Sequence, residues 1–316
     1  MEFFSSKTNF DFVGKRRLAA TFSVVLTIIS IVSLATQGLN YAVDFTGGYL
    51  AEAGYPQEAD LPAIRQALSD NGMEDAVVQN FGTSRDVLIR LAPRTGETAS
   101  GEGAAEVSDA IREILTKQNP QVEVRRVEFV GAQVGEELKN DGGLAMLIAL
   151  ICIMIYVMIR FEWKFSMGAV VSLAHDVVIT LGFLSVIQAE FDLTVLAALL
   201  AIIGYSLNDT IVVYDRVREN FRRIRKGTAE DITNISINET LSRTVMTGVT
   251  TLMVLFALFF LGGDVIHVFS LTLIFGIVFG TYSSVYVASS VVIALGLTRE
   301  DLLQIKKEGV DTNPLP

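Results

Sequence analysis

Six long apolar blocks constrain this chain more than any other feature of its sequence. Each block holds roughly 18 or more mainly apolar residues, the length a helix needs to cross a hydrocarbon layer of ~30 Å. Of the 316 residues, 51% are apolar, and the mean hydropathy is +0.46, which is high for a water-soluble domain. We therefore predict a polytopic α-helical membrane protein with six transmembrane helices. The predicted spans are 18–36, 142–159, 165–188, 193–214, 244–261 and 265–295.

The positions of the basic residues predict how these helices are oriented. Lysine and arginine cluster in residues 1–17, in the turn after the second span, in a loop at 215–243 and in the tail 296–316. Short loops rich in these residues stay in the cytoplasm. The pattern predicts that both termini are cytoplasmic and that residues 37–141 lie on the other side of the membrane.

The polar segment 37–141 is predicted to fold as a small domain. It holds 18 acidic and 9 basic residues, and so accounts for most of the chain's net charge of -10. Its apolar residues alternate as in strands at some places and recur with helical periodicity at others. The resulting order, βαββαβ, is that of the ferredoxin-like α+β fold. The predicted strands are 49–55, 76–81, 87–91 and 122–130, and the predicted helices are 60–71 and 102–118.

A carboxylate inside the fourth span is the leading candidate for function. Asp209 lies about 24 Å from the outer end of that span at ~1.5 Å per residue, in the cytoplasmic third of the bilayer. Tyr205 and Ser206 precede it by about one turn and share its face, and Asn208 is its neighbour. A charge inside a membrane usually faces the bundle interior or a water path. Asp209 is therefore either a protonatable group in a polar crevice or an aspartate solvated near its helix end.

His175 and Asp176 form a second polar pair, near the middle of the third span. Histidine titrates near neutral pH and aspartate can relay a proton, but hydrogen bonds from either can also lock helix packing. Neighbouring helical residues point ~100° apart, so we expect that the two do not line one narrow path together. Relay and packing both stay open for this pair, and also for Tyr205, Ser206 and Asn208.

Arg243 lies at the cytoplasmic entry to the fifth span. If that helix begins before its apolar run, near Thr233, then Arg243 reaches a depth comparable with that of Asp209. It is then a candidate counter-charge. The other interpretation is an ordinary basic flank of a membrane helix.

Small residues recur every four positions in the sixth span, at Gly276, Gly280, Ser284 and Ala288. This spacing lets another helix approach closely. We predict a packing surface, and the sequence leaves open whether the neighbouring helix belongs to this chain or to a partner.

Several kinds of chemistry have no signature in the sequence. It contains no phosphate-binding Gly-Lys-Ser/Thr loop, no H-E-x-x-H motif and no nucleophile elbow. It has one cysteine, which excludes a thiolate metal cluster, and no dominant basic patch for nucleic acid. We predict no catalytic residues, no metal and no cofactor. An ion gradient remains as an energy source, since one charge crossing 100 mV is worth ~2.3 kcal/mol.

Several longer motifs agree with one known family in order and spacing. The chain resembles the SecF family of bacterial protein translocase subunits over essentially its whole length. The motifs that carry the resemblance are DFTGG at 44–48, RVEFVG at 126–131, FEW at 161–163, AHD at 174–176, GYSLNDTIVVYDR at 204–216 and TLSRT at 240–244.

The resemblance implies an architecture, partners and site residues. Members of the family have six transmembrane helices and a periplasmic domain between the first two. They pair with a related subunit, SecD, in a pseudo-symmetric complex similar to resistance-nodulation-division transporters. That complex works beside the SecYEG channel and its SecA motor, with YajC and YidC as further partners and a translocating preprotein as cargo. The residues that match Asp209 and Arg243 are implicated in proton passage, whereas no firm role carries over to His175 or Asp176.

The expected function is therefore auxiliary to the Sec preprotein translocase of the bacterial inner membrane. With SecD, the chain would use the proton gradient to promote late steps of protein export. One alternative is a small-molecule exporter of the resistance-nodulation-division type, although such exporters usually carry two large outer domains per chain. The other alternative is a structural membrane scaffold.

Overall fold

The computed structural model describes residues 8–92 and 104–298, and it contains six helices long and apolar enough to cross a membrane. The predicted fold class is confirmed. In chain order the helices are α1 Arg16–Thr36, α2 Val43–Thr46, α3 Leu61–Asp70, α4 Ala104–Gln118, α5 Ala132–Arg160, α6 Trp163–Ile187, α7 Leu193–Arg223, α8 Ala229–Leu261, α9 Asp264–Ser283 and α10 Ser289–Ala294. The strands are β1 Asn40–Tyr41, β2 Gly48–Gly54, β3 Val77–Phe81, β4 Thr83–Leu91, β5 Glu123–Val130 and β6 Glu190–Phe191.

Three membrane helices run past the limits of their apolar blocks. The second span was predicted to begin at residue 142, but α5 begins at Ala132. The basic loop predicted at 215–243 contracts to 224–228, because α7 continues to Arg223 and α8 begins at Ala229. Apolar residues of these extensions are buried against the bundle, as Phe221 and Ile232 show. Packing of this kind extends a helix beyond the hydrocarbon layer, where hydropathy no longer indicates it.

The membrane helices differ in how much of their surface the chain itself covers. In the most apolar window, 56% of α6 and 44% of α7 is buried, against 22% for α1, 11% for α5 and 17% for α8. Helices α6, α7 and α9 therefore form the centre of the bundle. The other three helices present most of their surface to lipid or to partner proteins.

The sixth span is not one regular helix. A π-helical turn, Ser284–Ala288, lies between α9 and α10, where the sequence predicts a continuous span at 265–295. The Ser284 hydroxyl donates to the carbonyl of Gly280 at 2.9 Å and to that of Ser206 on α7 at 3.2 Å. π-turns inside α-helices are rare and often mark functional sites. This one lies at the contact between the sixth span and α7.

The domain outside the bundle has the predicted ferredoxin-like order. Strands β3-β4-β2-β5 form one antiparallel sheet. The core side chains of β2 alternate with partly buried ones, and the core includes residues of α3 and α4, such as Ile64 and Ile111. Strand β4 begins at Thr83 rather than at residue 87, because Gly82 alone makes the turn and Thr83 pairs at once with Phe81. Residues 102 and 103 of the second predicted helix lie outside the described part of the chain.

A small connection between the domain and the bundle was not predicted. Strand β1 pairs in parallel with β6, and the short helix α2 follows β1 directly. Tyr41, Phe45 and Phe191 pack their rings together at this point. Two-residue strands carry too little periodicity to be recognised in a sequence, so only the tertiary contact identifies them.

Replacing Gly48 by alanine is expected to destabilise the protein by about 2–5 kcal/mol, from backbone strain and overpacking together. Gly48 has φ +126°, and a Cβ atom there would lie 2.2 Å from the carbonyl oxygen of Leu91. Thermal unfolding of the purified protein measures the effect. The matched control is Gly72→Ala, where φ is +78° but nothing lies within 4 Å, so only strain of about 1 kcal/mol applies. Equal effects of the two variants would contradict the steric explanation.

Candidate functional site

Asp209 is buried in the contact between α7 and α8. Asp209 is 6% exposed, and its Oδ1 atom accepts a hydrogen bond from the Thr244 hydroxyl at 2.6 Å. Its Oδ2 atom is buried and has no hydrogen-bond partner among the described residues. Asp209 is therefore a buried acid with spare bonding capacity, rather than an aspartate solvated at a helix end.

Arg243 does not pair directly with Asp209. Within the described part of the chain no salt bridge joins the two, and Arg243 is exposed. The next residue, Thr244, faces Asp209, and successive helical side chains point ~100° apart. Among the described residues, no lysine, arginine or histidine side chain therefore lies within salt-bridge distance of the Asp209 carboxyl, and Arg243 is its neighbour at longer range.

Asp176 is the hub of a second buried polar cluster. It is 1% exposed, and its Oδ2 atom accepts hydrogen bonds from Ser206 at 2.6 Å and Ser283 at 2.7 Å. Its Oδ1 atom lies 3.1 Å from Nδ1 of His175, and Ser172 donates to Ser283 at 3.1 Å. These bonds tie α6, α7 and α9 together at one depth.

One expectation about this cluster was wrong. His175 and Asp176 contact each other through Nδ1 and Oδ1, and the expectation that they do not line one narrow path stays a prediction. Ser206 was expected to share a site with Asp209, yet it bonds to Asp176. A separation of three residues leaves ~60° between two side chains, enough to place them against different neighbouring helices.

The other candidates on α7 lie outside both clusters. Tyr205 is partly buried, and its hydroxyl lies 3.8 Å from the place a Cβ atom would take on Gly248 of α8. Asn208 is exposed, as are Gly204, Ala201 and Ala197 at helical spacing before it. These four residues form an exposed small-residue stripe on α7, hereafter the α7 stripe.

The small residues of the sixth span pack within this chain. A Cβ atom on Gly276 would lie 2.1 Å from Cδ1 of Ile202, and one on Gly280 would lie 3.2 Å from Cβ of Ser206. Ser284 bonds to Thr210 at 2.9 Å, and the carbonyl of Ala288 accepts from Tyr214 at 3.2 Å. All four contacts are with α7, which answers the question that the sequence left open.

Several residues of the site were missed in the sequence. They are hydroxyl residues, namely Thr244, Ser172 and Ser283. Within the described structure, threonines such as Thr247 and Thr250 bond only to carbonyls of their own helix, and nothing in the sequence separates the two kinds. Thr244 belongs to the TLSRT motif at 240–244, in which the charge of Arg243 makes the arginine the more conspicuous candidate.

One of the polar contacts between the α/β domain and the bundle centres on Glu190. Glu190 of β6 lies 3.0 Å from Nη2 of Arg90 on β4 and accepts a hydrogen bond from Gln79 on β3 at 3.3 Å. Burial raises the pKa of the Glu190 carboxyl above its ordinary value, and the charge of Arg90 opposes that shift. A cleft of about 710 Å³ lies beside this contact, between the sheet and the ends of the membrane helices.

Replacing Arg90 by methionine is expected to make this contact depend more strongly on pH than it does in the unmodified protein. Without the cation, buried Glu190 holds its proton still more tightly than a solvated glutamate does. The contact is then strongest at low pH and loses on the order of 1 kcal/mol as the pH rises through the raised pKa. Hydrogen exchange of the β6 amides at pH 5 and pH 8, corrected for intrinsic rates, measures it. Adding Glu190→Gln should remove the dependence, and stronger protection at pH 8 in the single variant would contradict the prediction.

Within residues 8–92 and 104–298, no group of three or more histidine, cysteine, aspartate or glutamate side chains is placed to hold a metal ion. The polar groups that the two clusters hold are carboxyls, hydroxyls and an imidazole, which make the hydrogen bonds given above. Both buried carboxyls, Asp209 and Asp176, can carry a proton, and each lies where membrane helices meet.

The fold and these side chains define a class: multi-pass membrane proteins with carboxyl groups buried between their helices and a small α/β domain outside the bundle. Two family descriptions match the sequence. Residues 110–298 match the protein export membrane protein SecD/SecF, C-terminal, and residues 32–55 match the SecD/SecF GG motif, which contains Gly48. The chain belongs to the SecD/SecF family of protein export membrane proteins.

Relatives within this family are similar over nearly the full chain. The protein translocase subunit SecF of Vibrio alginolyticus is 50% identical, and the match covers 96% of each chain. The SecF of Pseudomonas aeruginosa is 49% identical, over 96% of this chain and 97% of the relative. These matches confirm the resemblance to SecF. Together with the six helices, they identify a multi-pass protein of the bacterial inner membrane.

The fold is also similar to that of solved structures. SecDF of Thermus thermophilus, described as a translocon-associated membrane protein, matches with a TM-score of 0.81 at 36% identity over 92% of this chain. SecDF in a super-membrane-facing form matches with a TM-score of 0.69. This chain spans 39% of the length of each solved chain.

Proposed function

We propose that the chain is an auxiliary subunit of the Sec preprotein translocase that works with SecD and uses the proton gradient to promote late steps of protein export. The observation that carries this proposal is Asp209. It is a buried acid between two membrane helices, with one oxygen bonded to Thr244 and the other without a partner in the described structure. Membership of the SecD/SecF family supports the assignment to protein export.

Protonation of Asp209 is the proposed switch. A charged aspartate at the centre of a membrane helix costs roughly 3 kcal/mol, and a proton removes that cost. The charged form favours an arrangement that brings a cation or a donor to the free Oδ2 atom, from Arg243 or from SecD. The neutral form favours the closed contact of α7 with α8. The gradient alternates the two forms, since each charge that crosses 100 mV is worth ~2.3 kcal/mol.

The connection between α7 and the outer domain provides a route for movement. Strand β6 directly precedes α7, and the N–H group of Leu193 donates to Asp44, which lies on α2, at 3.1 Å. Glu190 of β6 contacts Arg90 and Gln79 in the sheet. A shift of α7 along its axis would therefore act on the domain through β6. Movement of that domain would promote release of the preprotein on the outer side.

SecD is proposed to pack against the α7 stripe. The four residues of the stripe are small or polar and exposed on a helix that is otherwise central to the bundle. Exposed Arg243 lies on the adjacent helix. Small residues allow a second helix to approach closely, and a partner there would cover polar groups that lipid leaves unpaired. The SecDF relatives, whose chains are much longer, support a SecD half beside this one.

The remaining parts of the proposal follow from the family and from the distribution of charge. We propose that both termini lie in the cytoplasm and residues 37–141 in the periplasm, because the basic residues cluster in the termini and in the loops on the same side of the membrane. The SecYEG channel with SecA, YajC, YidC and the translocating preprotein are the proposed further partners.

Proton flux into vesicles that hold this chain together with SecD tests the proposal. An imposed pH gradient should drive flux only when both subunits are present, because one half provides an incomplete path. Absence of flux with Asp209 intact would favour a structural scaffold. Flux coupled to small molecules rather than to preprotein would favour an exporter of the resistance-nodulation-division type.

A further inference from the structure

A groove of about 470 Å³ opens on the outer surface of the bundle, between α1, α6 and the segment formed by the π-turn and α10. Its walls are apolar, and several lining residues are small, among them Ala20, Ala174 and Ser290. On α1 the lining runs from Ala19 to Ile28, about 14 Å at ~1.5 Å per residue. The groove therefore extends along the helices and is open to the membrane.

One polar atom of the groove has no partner. The side chain of His175, which lines the groove, is 7% exposed. Its Nδ1 atom faces Asp176 in the interior, and its Nε2 atom is buried without a hydrogen bond among the described residues. The carboxylate form of Asp176 accepts from two serines at Oδ2, and it pairs at Oδ1 with the tautomer of His175 that carries its proton on Nδ1. In that tautomer Nε2 is a hydrogen-bond acceptor. Nε2 lies on the edge of the ring away from the contact with Asp176, in a residue that lines the groove.

The depth of His175 restricts what can satisfy this atom. The residue is at the middle of α6, about 18 Å from either end at ~1.5 Å per residue. Lipid head groups do not reach that depth, and acyl chains offer no hydrogen-bond donor. An occupant with an apolar body and one donor at mid-membrane is needed. A transmembrane helix with a hydroxyl or amide side chain has this chemistry, and small wall residues let its backbone come close.

We propose that this groove is the docking site for a transmembrane helix of another membrane protein, whose serine, threonine, tyrosine, asparagine or glutamine side chain donates a hydrogen bond to Nε2 of His175 at mid-membrane. The surface is distinct from the α7 stripe, since α6 separates the groove from α7 and bonds to α7 through Asp176 and Ser206. The site does not depend on proton transfer at Asp209, so the docking proposal can be tested independently of the proposed function.

Photo-crosslinking in native membranes tests the docking site. A photoreactive residue replaces Val24, which lines the groove and is 56% exposed, and the control replaces Ile155, which lies on α5 and is 49% exposed. Adducts are identified by mass spectrometry, and the contacted residue is mapped. We expect an adduct at position 24, absent at position 155, that maps within one turn of a donor side chain at the middle of a transmembrane helix. Adducts with lipid alone, or with a helix end, would overturn the proposal.

Two variants of His175 test the hydrogen bond itself. His175→Asn keeps a polar atom near Asp176 but is too short to reach the groove, whereas His175→Gln is long enough to reach it. The adduct should fall about threefold or more in the asparagine variant and be retained in the glutamine variant. Ala20→Phe fills the groove from exposed α1 without touching the His175–Asp176 pair, and it should also lower the yield. Unchanged yield in both His175→Asn and Ala20→Phe would overturn the proposal.

Discussion

Replacing Asp209 by asparagine is expected to abolish gradient-dependent protein export while leaving the chain assembled with SecD. The asparagine side chain has the same shape and keeps an oxygen that can accept the hydrogen bond from Thr244, so the contact of α7 with α8 survives. The amide cannot take up or release a proton, however, so the switch stays in its neutral form. Export into inverted membrane vesicles, with and without a proton gradient, measures the effect.

The matched control for this variant is Asp215→Asn. Asp215 lies on the same helix but is exposed, so its neutralisation should leave the gradient-dependent component of export unchanged. Co-purification with SecD checks assembly, and proton flux in vesicles that hold both subunits should fall together with export. Normal gradient-dependent export in the Asp209→Asn variant would refute the proposed switch.

Replacing Asp176 by leucine is expected to lower the stability of the protein itself, in contrast to Asp209→Asn, which should stop gradient-dependent export and leave the assembly intact. The substitution removes the acceptor for Ser206 and Ser283 and leaves the His175 ring without its buried partner. Hydrogen bonds between membrane helices are each worth about 0.6–2 kcal/mol, so the two from Ser206 and Ser283 together predict a loss of about 1–4 kcal/mol. The midpoint of thermal unfolding in detergent measures this loss.

Ser206→Ala is the control that distinguishes loss of all the hydrogen bonds of Asp176 from loss of one of them. It removes one donor and leaves the carboxyl and its other two partners in place, so we expect a loss of about 1 kcal/mol. An Asp176→Leu protein that unfolds at the wild-type temperature but fails to transport protons would show that Asp176 carries protons rather than joining helices.

The two carboxyls show where interpretation of the sequence succeeded and where it failed. A charge within an apolar block is costly wherever the helices lie, so Asp209 and Asp176 were identifiable as candidates without a structure. The partners of each carboxyl were not identifiable. Spacing along α7 groups Ser206 with Asp209, but Ser206 lies against α6 while Asp209 lies against α8. The face of one helix shows which residues are neighbours on it, and not which helix covers them.

Hydropathy, periodicity and motif order are local properties of the chain, and they were enough to predict the six membrane helices, the ferredoxin-like order of the outer domain and the family. The folded structure was needed to show that Thr244 rather than Arg243 contacts Asp209, that His175 and Asp176 meet, and that the sixth span contains a π-turn. It also decided that α7 and α8 extend well past their apolar blocks. These features depend on contacts between segments far apart in the chain, where burial and hydrogen bonding outweigh local preference.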